Sequence, residues 1–346
     1  MSDATSANPR AAIKPAPADA RNVLVIRAGP LPGFLQALAA AKAIRQHHVQ
    51  ARVTLLTTPE FAKLAETCPY FDEIDTEGRP GVDPAAFTKM VQRLRKNKYD
   101  MVYDLQGGNE TNRLFQLLRP FPPKWSGAAD GASHRFNPPN AAAMHPLDRL
   151  AAQLTEAGIG PPDGYAPGQS PIPDLSWVRS ALRNTPRLRP SHFGLSGPFI
   201  LLSPGGAEKG DKRWPTVQYS ALAALILERG FSPVITGAQE ERGLGAEIAG
   251  ADGRIKNVIG RADIFQQIAL AEDCNFAVGE ETDLMHLAAA AGAPLLLFLP
   301  RGADPTRQGP RSRHGAVNFV VDDFRRLSPE EVDRALLNLG AYVRKS

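Results

Sequence analysis

Cysteine is scarce in this sequence of 346 residues. Only Cys68 and Cys274 occur, and they are far apart along the chain. This excludes a disulfide framework and the closely spaced cysteine and histidine pairs of a structural zinc site. We therefore expect reduced thiols, no bound metal and a cytoplasmic protein.

Long apolar runs are also absent. The longest nearly apolar stretch, LMHLAAAAGAPLLLFLP at 284–300, contains a histidine and a Gly-Ala-Pro break. It predicts a short helix, a turn and a buried strand, and not a membrane span. The first twenty residues are polar and rich in proline and alanine, and they lack the apolar segment of a signal peptide. We expect residues 1–21 to form a disordered tail.

Neither sign of charge dominates, because the sequence has 40 basic and 36 acidic residues and a formal net charge of +4. This small excess gives no reason to expect a nucleic-acid partner. The densest basic run is RLRKNKYD at 93–100. It indicates a solvated helix end, and the alternative is contact with an anionic membrane surface or a phosphorylated acceptor.

What the sequence does contain is an alternation of apolar strands and helices that occurs twice. The pattern begins at residue 22, gives way to a segment dense in Pro and Gly at 120–197, and restarts at FILLSPGG, 199–206. Such alternation predicts parallel sheets with right-handed crossovers. We expect an α/β protein with an N-terminal lobe at 22–175, a second lobe at 176–325 and a C-terminal helix at 326–346. The carboxyl ends of the strands are the expected ligand site.

Two segments of the second lobe carry candidate phosphate-binding chemistry. In SPGGAEKGDKRWP, 203–215, small residues such as Ser203 and Gly205 let backbone N–H groups approach an anion, and Lys212 adds charge. Asp211 stands where a P-loop requires Lys, which argues against a P-loop kinase. The alternative is an ordinary basic loop. In ITGAQEER, 235–242, Glu241 follows a strand end and is suited either to ribose hydroxyls or to the start of a helix.

The strongest local signal is VGEETDLMHLAAAAGAP at 278–294. Thr282 is a candidate helix cap, and three carboxylates surround it at a strand-to-helix turn, which is more than capping requires. His286 follows in the first helical turn. In the first lobe, DLQGGNET at 104–111 places Asp104 and Glu110 after a strand, where turn chemistry and helix capping are the alternative roles.

Together these motifs resemble glycosyltransferase family 9, the ADP-heptose:lipopolysaccharide heptosyltransferases, over about residues 22–319. The tail FLPRGADPTRQGP is similar to a further segment of that family. The resemblance implies a GT-B fold, with two Rossmann-like lobes whose parallel sheets face an interdomain cleft. It also implies inverting transfer from ADP-heptose without a metal or other cofactor. The acceptor would be a lipopolysaccharide core or related glycolipid at the inner membrane surface.

The resemblance also implies roles for individual donor-site residues. Lys212 would neutralise the diphosphate and Glu241 would hold the ribose. Thr282 and His286 would line the phosphates, and Glu281 would approach the sugar at a position where the family usually has Asp.

Two further positions depart from the family pattern. Asp283 stands where the family has Gly, which places a carboxylate beside the donor phosphates. Gly33, in the turn RAGPLPGF, stands where the family has the Asp that is the presumed general base. Asp104 and Glu110 are the candidate replacements. The alternatives are a non-catalytic relative that binds a nucleotide or a partner and, less well matched by the motifs, a nucleotide-sugar epimerase.

Overall fold

The computed structural model describes residues 15–76, 84–205, 213–307 and 309–343. They divide into two units, each built around its own sheet. The first unit takes in residues up to 29 together with 40–66 and 70–171, and the second takes in 30–39, 67–69 and the chain from 172 onward.

The sheet of the first unit has six parallel strands in the order β3-β2-β1-β4-β5-β6. The strands are β1 (Asn22–Ile26), β2 (Arg52–Thr57), β3 (Glu73–Thr76), β4 (Met101–Asp104), β5 (Lys124–Gly127) and β6 (His134–Arg135). The helices that alternate with them are α1 (Leu31–His47), α2 (Ala62–Glu66), α3 (Pro84–Asn97), α4 (Asn109–Leu117) and α5 (Pro146–Glu156).

The sheet of the second unit also has six parallel strands, in the order β12-β11-β10-β7-β8-β9. The strands are β7 (Phe199–Ser203), β8 (Ser232–Ile235), β9 (Lys256–Asn257), β10 (Phe276–Glu280), β11 (Leu295–Pro300) and β12 (Ala316–Val321). The helices are α6 (Ser176–Ala181), α7 (Thr216–Glu228), α8 (Arg242–Ala249), α9 (Ile264–Asp273), α10 (Asp283–Ala291) and α11 (Pro329–Asn338).

Both sheets have the same strand order when their strands are numbered from the start of each unit: 3-2-1-4-5-6. This is the doubly wound order of Rossmann folds, so the predicted α/β class with two Rossmann-like lobes is confirmed. The order reverses between β1 and β4 in the first sheet and between β7 and β10 in the second. Loops diverge at the carboxyl ends of these strand pairs, and the crevice between them is where such sheets bind ligands.

Helix α1 begins at Leu31, three residues before the start predicted from the sequence. The prediction treated Pro32 as part of a turn. Proline is tolerated in the first turn of a helix, because the N–H group that it lacks would have no intrahelical partner there. The correction matters for Gly33, which lies inside the first helical turn and is buried.

Three strands were not predicted, and one was placed wrongly. β5 and β6 are short and lie in the segment rich in Pro and Gly. β12 is a largely exposed edge strand whose apolar run is interrupted by Asn318. The strand expected at 257–260 is instead the two-residue β9. Val258 and Ile259 follow it and are buried in the core.

Trp214 anchors the core next to the expected donor loop. It is 1% exposed and packs edge-on against Tyr219 and Phe298, with ring centroids 4.6 and 5.1 Å away. Its indole Nε1 donates a hydrogen bond to the carbonyl oxygen of Leu327 at 2.9 Å. A buried aromatic residue with a satisfied N–H group fixes the backbone around it strongly. The start of α7 is therefore held firmly.

Both cysteines, Cys68 and Cys274, are buried as thiols. Within the ranges given above, no helix combines the length and the apolar composition needed to cross a membrane.

Candidate functional site

Two hydroxyl side chains meet at the point where the second sheet reverses its strand order. Ser203 ends β7 and Thr282 follows β10, and their oxygens Oγ and Oγ1 lie 2.9 Å apart. Thr282 also accepts a hydrogen bond from the backbone N–H of Met285, so its predicted role as the N-cap of α10 is confirmed. Gly279 permits this close approach, because a Cβ at that position would lie 2.3 Å from the carbonyl oxygen of Ser203.

Glu280 is a buried carboxylate that joins two separate stretches of backbone. Its Oε2 accepts the N–H of Gly205 at 2.8 Å, and its Oε1 accepts the N–H of Trp214 at 2.7 Å. Burial raises the pKa of Glu280 to about 8, while the two N–H groups and nearby Arg213 act in the opposite direction. The carboxylate thereby holds the residues on either side of 206–212, a segment outside the described residues.

Glu241 also lies against the loop after β7. Its Oε2 accepts the backbone N–H of Ala238 at 2.8 Å, at the start of the helical segment after β8. A Cβ at Gly205 would lie 1.8 Å from Oε1 of Glu241, and Gly205 has a φ of +130°. Both facts require glycine at 205. The carboxylate of Glu241 therefore serves the helix start and also borders the loop after β7.

Glu281, His286 and Gly309 form a second group beside Thr282. The Oε1 atom of Glu281 accepts the backbone N–H of Gly309 at 3.0 Å and lies 3.7 Å from Nε2 of His286. Gly309 belongs to the segment FLPRGADPTRQGP, so this tail reaches the turn between β10 and α10. Asp283 is exposed and opens the helix. Partial burial raises the pKa of Asp283, and the neighbouring imidazole of His286 opposes that shift.

The structure places most of the expected donor residues at the carboxyl end of the second sheet. Their common position is the carboxyl end of β7, β8 or β10, and they are Ser203, Gly205, Glu241, Glu281, Thr282, Asp283 and His286. Lys212 lies outside the described residues. Their assignment to a donor stays a prediction.

The two candidate replacements for the general base have very different surroundings. Asp104 ends β4 and is only 1% exposed, and its Oδ1 accepts the N–H groups of Gln106 at 3.2 Å and Gly107 at 2.9 Å. Burial raises its pKa, against the influence of these hydrogen bonds and of Arg27. Glu110 lies in the first turn of α4 and is exposed. Of the two, only Glu110 presents its carboxylate to solvent.

Some residues of these strand ends were not singled out from the sequence. Glu280 was counted among three acidic residues, but its bonds to Gly205 and Trp214 span 75 and 66 residues, and no local pattern reveals them. Arg27 directly follows β1, and this position at a strand end was the one available signal for it.

No group of three or more His, Cys, Asp or Glu side chains that could hold a metal ion occurs in the described part of the chain.

Comparisons with known proteins identify relatives for most of the chain. The model of glycosyltransferase family 9 (heptosyltransferase) matches residues 87–320, a range that begins after Gly33. Lipopolysaccharide heptosyltransferase 2 of Escherichia coli K12 is 32% identical over 124 residues, which cover 34% of this chain and 36% of that protein. The matches to this protein and to the corresponding protein of Haemophilus ducreyi thus span little more than a third of each relative, 36% and 38%.

Solved structures share the fold over nearly the whole chain. The ADP-heptose lipopolysaccharide heptosyltransferase II of E. coli has a TM-score of 0.72 at 20% identity, covering 92% of this chain and 98% of that one. E. coli heptosyltransferase WaaC with ADP-2-deoxy-2-fluoro heptose has a TM-score of 0.69 at 16% identity, with coverages of 92% and 99%. At these identities the likeness establishes the two-lobed GT-B type of fold.

Proposed function

The chain belongs to glycosyltransferase family 9, and we propose that it transfers a heptose from ADP-heptose to a lipopolysaccharide core or a related envelope glycolipid. The proposed reaction inverts the configuration at the anomeric carbon of the heptose. It uses no metal ion or other cofactor. The donor is suggested by WaaC, whose structure contains an ADP-heptose analogue, and the acceptor by the matched lipopolysaccharide heptosyltransferase 2.

The observation that carries this proposal is the pairing of Ser203 with Thr282 at the N-terminus of α10. A helix N-terminus presents free backbone N–H groups and a positive dipole end, which favour a diphosphate. In the proposal, these N–H groups, the two hydroxyls and His286 hold the phosphates, and Lys212 adds positive charge. Their task is to stabilise the negative charge that develops on ADP as it leaves.

Activation of the acceptor requires a base. As the acceptor oxygen bonds to the anomeric carbon, the bond from that carbon to the diphosphate oxygen breaks, and the acceptor hydroxyl gives its proton to a carboxylate. Gly33 cannot accept a proton. Glu110 is our preferred substitute because its carboxylate is exposed, whereas that of Asp104 is buried and its Oδ1 already accepts two backbone N–H groups.

The proposed partners are a soluble nucleotide sugar and a glycolipid acceptor, with no nucleic acid. A cytoplasmic protein that works at the inner surface of the membrane would reach both. Glu281 and Glu241 complete the proposed donor site, where they would face the sugar and the ribose respectively.

A second candidate is a non-catalytic relative that binds a nucleotide or a protein partner. Two observations favour it: no carboxylate occupies position 33, and Asp283 brings a negative charge to the proposed phosphate site. This protein would keep the fold and carry out no transfer.

Calorimetric titration with ADP and ADP-heptose, with UDP and GDP sugars as controls, tests the donor site. We expect selective binding of the adenine nucleotides. Absence of binding by every nucleotide would contradict the proposed donor and favour the non-catalytic candidate. If ADP-heptose binds, incubation with a lipopolysaccharide acceptor extract then separates a transferase from a nucleotide-binding relative.

A further inference from the structure

The edge strands of the two sheets differ in how well they are protected against pairing with another chain. β3 (EIDT), β6 (HR) and β9 (KN) have two to four residues, and each carries at least one charged or ionisable side chain. β12 has six residues, AVNFVV, with no charge and no proline. Short length, charge and proline are the usual means by which edge strands avoid pairing. Of the edges formed by the described strands, β12 is therefore the one suited to bind a further strand.

The pairing of β12 with β11 shows which backbone groups face outward. The carbonyl oxygen of Gly315, just before β12, accepts the backbone N–H of Leu295 at 3.2 Å. In a parallel pair, a residue directs its N–H and its C=O to the same side, and that side alternates along the strand. The odd-numbered residues of β12 therefore bond to β11. Ala316, Asn318 and Val320 direct their N–H and C=O groups away from the sheet.

The side chains of β12 add apolar surface to this free edge. Val317 is 39% exposed and Val320 is 50% exposed. Val317 also lines a groove at the amino end of the second sheet, together with Leu339 and Val343, which follow α11 and are exposed as well. Exposed apolar residues grouped in this way indicate contact with another protein chain.

The segment that contains β12 is complementary to a second copy of itself. Two antiparallel copies related by a two-fold axis at Asn318 would place Asn318 opposite its own counterpart and Ala316 opposite Val320. All three residues direct backbone groups outward, so each of these pairs would exchange two hydrogen bonds. Val317 would lie opposite Phe319, in the type of pair whose side chains approach most closely.

The charges that flank β12 favour this register over its neighbours. His314 precedes the strand, Asp322 directly follows it, and both are exposed. With the axis at Asn318, the imidazole of His314 in one copy lies opposite the carboxylate of Asp322 in the other. The imidazole can donate a hydrogen bond to that carboxylate, and opposite charges across antiparallel strands are stabilising. With the axis at Phe319, Asp322 would instead lie opposite Ala316, and this match would be lost.

We propose that β12 pairs with the β12 of a second copy of this chain, so that the protein is a homodimer in which the two second-unit sheets form one continuous sheet. The same surface of each copy would form the interface, as a two-fold axis requires. The exposed apolar residues that follow α11 would extend it. The proposal does not depend on the proposed transferase activity, because it uses none of the proposed donor residues.

Disulfide trapping tests the register. Asn318→Cys would place two thiols opposite each other in a hydrogen-bonded pair, whose Cα atoms lie about 5.5 Å apart, within the span of a disulfide. We expect this variant to form a covalent dimer in oxidised glutathione. Val320→Cys is the matched control, since its counterpart would lie about 13 Å farther along the partner strand. The two native cysteines are buried and should not contribute.

Sedimentation velocity measures the assembly itself. We expect the wild type to be dimeric at micromolar concentration. Val320→Lys should raise the Kd of the dimer at least about tenfold, because it buries a charge at the pairing edge. Val217→Lys is the control, since Val217 is an exposed valine on α7 of the same unit and should leave the assembly unchanged. Both variants should keep the melting temperature of the monomer.

Three results would each overturn the proposal. They are a wild type that stays monomeric up to its solubility limit, Val320→Lys that assembles as tightly as the wild type, and Val320→Cys that cross-links as readily as Asn318→Cys. If Val320→Lys does not fold, the two cysteine variants decide. Titration of the dimer with ADP keeps this proposal separate from the proposed function: a dimer that binds no nucleotide would contradict the donor site alone.

Discussion

Position 33 is occupied by a residue that has no side chain for acid–base chemistry. Gly33 is buried in the first turn of α1, where glycine costs helix stability relative to alanine. At the scale of single residues, the question is which acid accepts the proton of the acceptor.

Glu110→Gln is expected to lower kcat about 10²- to 10⁴-fold, the usual contribution of a general base, while ADP binding and the melting temperature stay unchanged. The measurement is transfer from ADP-heptose to a lipopolysaccharide acceptor. Glu330→Gln is the matched control, because Glu330 is also an exposed acid in the first turn of a helix. Full activity of Glu110→Gln would eliminate Glu110, and Asp104→Asn and Gly33→Asp would then be the next variants to assay.

Asp283→Asn is expected to strengthen ADP binding about tenfold, because it removes a negative charge next to the proposed diphosphate site. Since the pKa of Asp283 is raised, binding by the wild type should also strengthen as the pH falls and this carboxylate is protonated. The variant should lack that part of the pH dependence. Calorimetry at two pH values measures both effects. Asp163→Asn, an exposed site in the first unit, is the control. Unchanged affinity in Asp283→Asn would place the diphosphate elsewhere.

At the scale of elements, the loop after β7 is held at both of its described ends. Glu280, at the end of β10, accepts the N–H of Gly205 and that of Trp214, and the indole ring of Trp214 is itself packed into the core. One buried side chain therefore connects β7, β10 and the start of α7. Losing it removes hydrogen bonds on both sides of the loop.

Glu280→Gln is expected to lower stability at pH 5 and to flatten its dependence on pH. The amide keeps one acceptor and loses the other, which costs roughly 1–3 kcal/mol for a buried N–H group left without a partner. In the wild type, the pKa of Glu280 is raised from 4.5 to about 8 in the folded state. The folded protein then binds more protons than the unfolded chain between these values, so stability should fall as the pH rises through this range.

Chemical denaturation at several pH values between 5 and 8 measures this slope. Glu330→Gln again serves as the control, since an exposed glutamate should leave the slope unchanged. If Glu280→Gln retained the wild-type slope, another group would be responsible for the pH dependence, and the carboxylate of Glu280 would be ionised throughout.

At the scale of the whole molecule, all residues of the proposed donor site belong to the second unit. ADP should slow hydrogen exchange in peptides covering 200–205 and 276–290 and leave those covering 22–29 and 101–110 unchanged. At a hundred times its Kd, ADP should add about 2.7 kcal/mol to the stability of the protein that it binds. Protection by ADP in the first unit alone would contradict the proposed placement of the donor.

The features of the fold that were predicted correctly are those determined by residues close together in the sequence. Central strands such as β7 and β10 are buried on both faces, so their continuous apolar runs made them predictable. The Thr282 cap was predictable because its hydrogen-bond partner, Met285, lies only three residues away in the sequence. The two-residue β6 has no apolar run, and that of the edge strand β12 is interrupted by Asn318.

Other features depend on contacts that are distant in the sequence. The bonds of Glu280 arise only when the second sheet has formed. The start of α1 was misplaced for a different reason: Pro and Gly are typical of turns, but proline is also compatible with a first helical turn. These are the places where local sequence patterns carry too little information.

The repeated strand order also governs how this chain can fold. In both sheets the strand that is synthesised first, β1 or β7, is central and pairs with one later strand on each side. The later of the two partners is β4, which begins only after residue 100, in the first sheet, and β10, which begins only after residue 275, in the second. Until then one apolar edge stays unpaired on the ribosome. Parallel pairing over such distances is slow and leaves the nascent chain prone to aggregation. Cooling weakens the hydrophobic association of such exposed edges, so synthesis at low temperature should raise the yield of native protein.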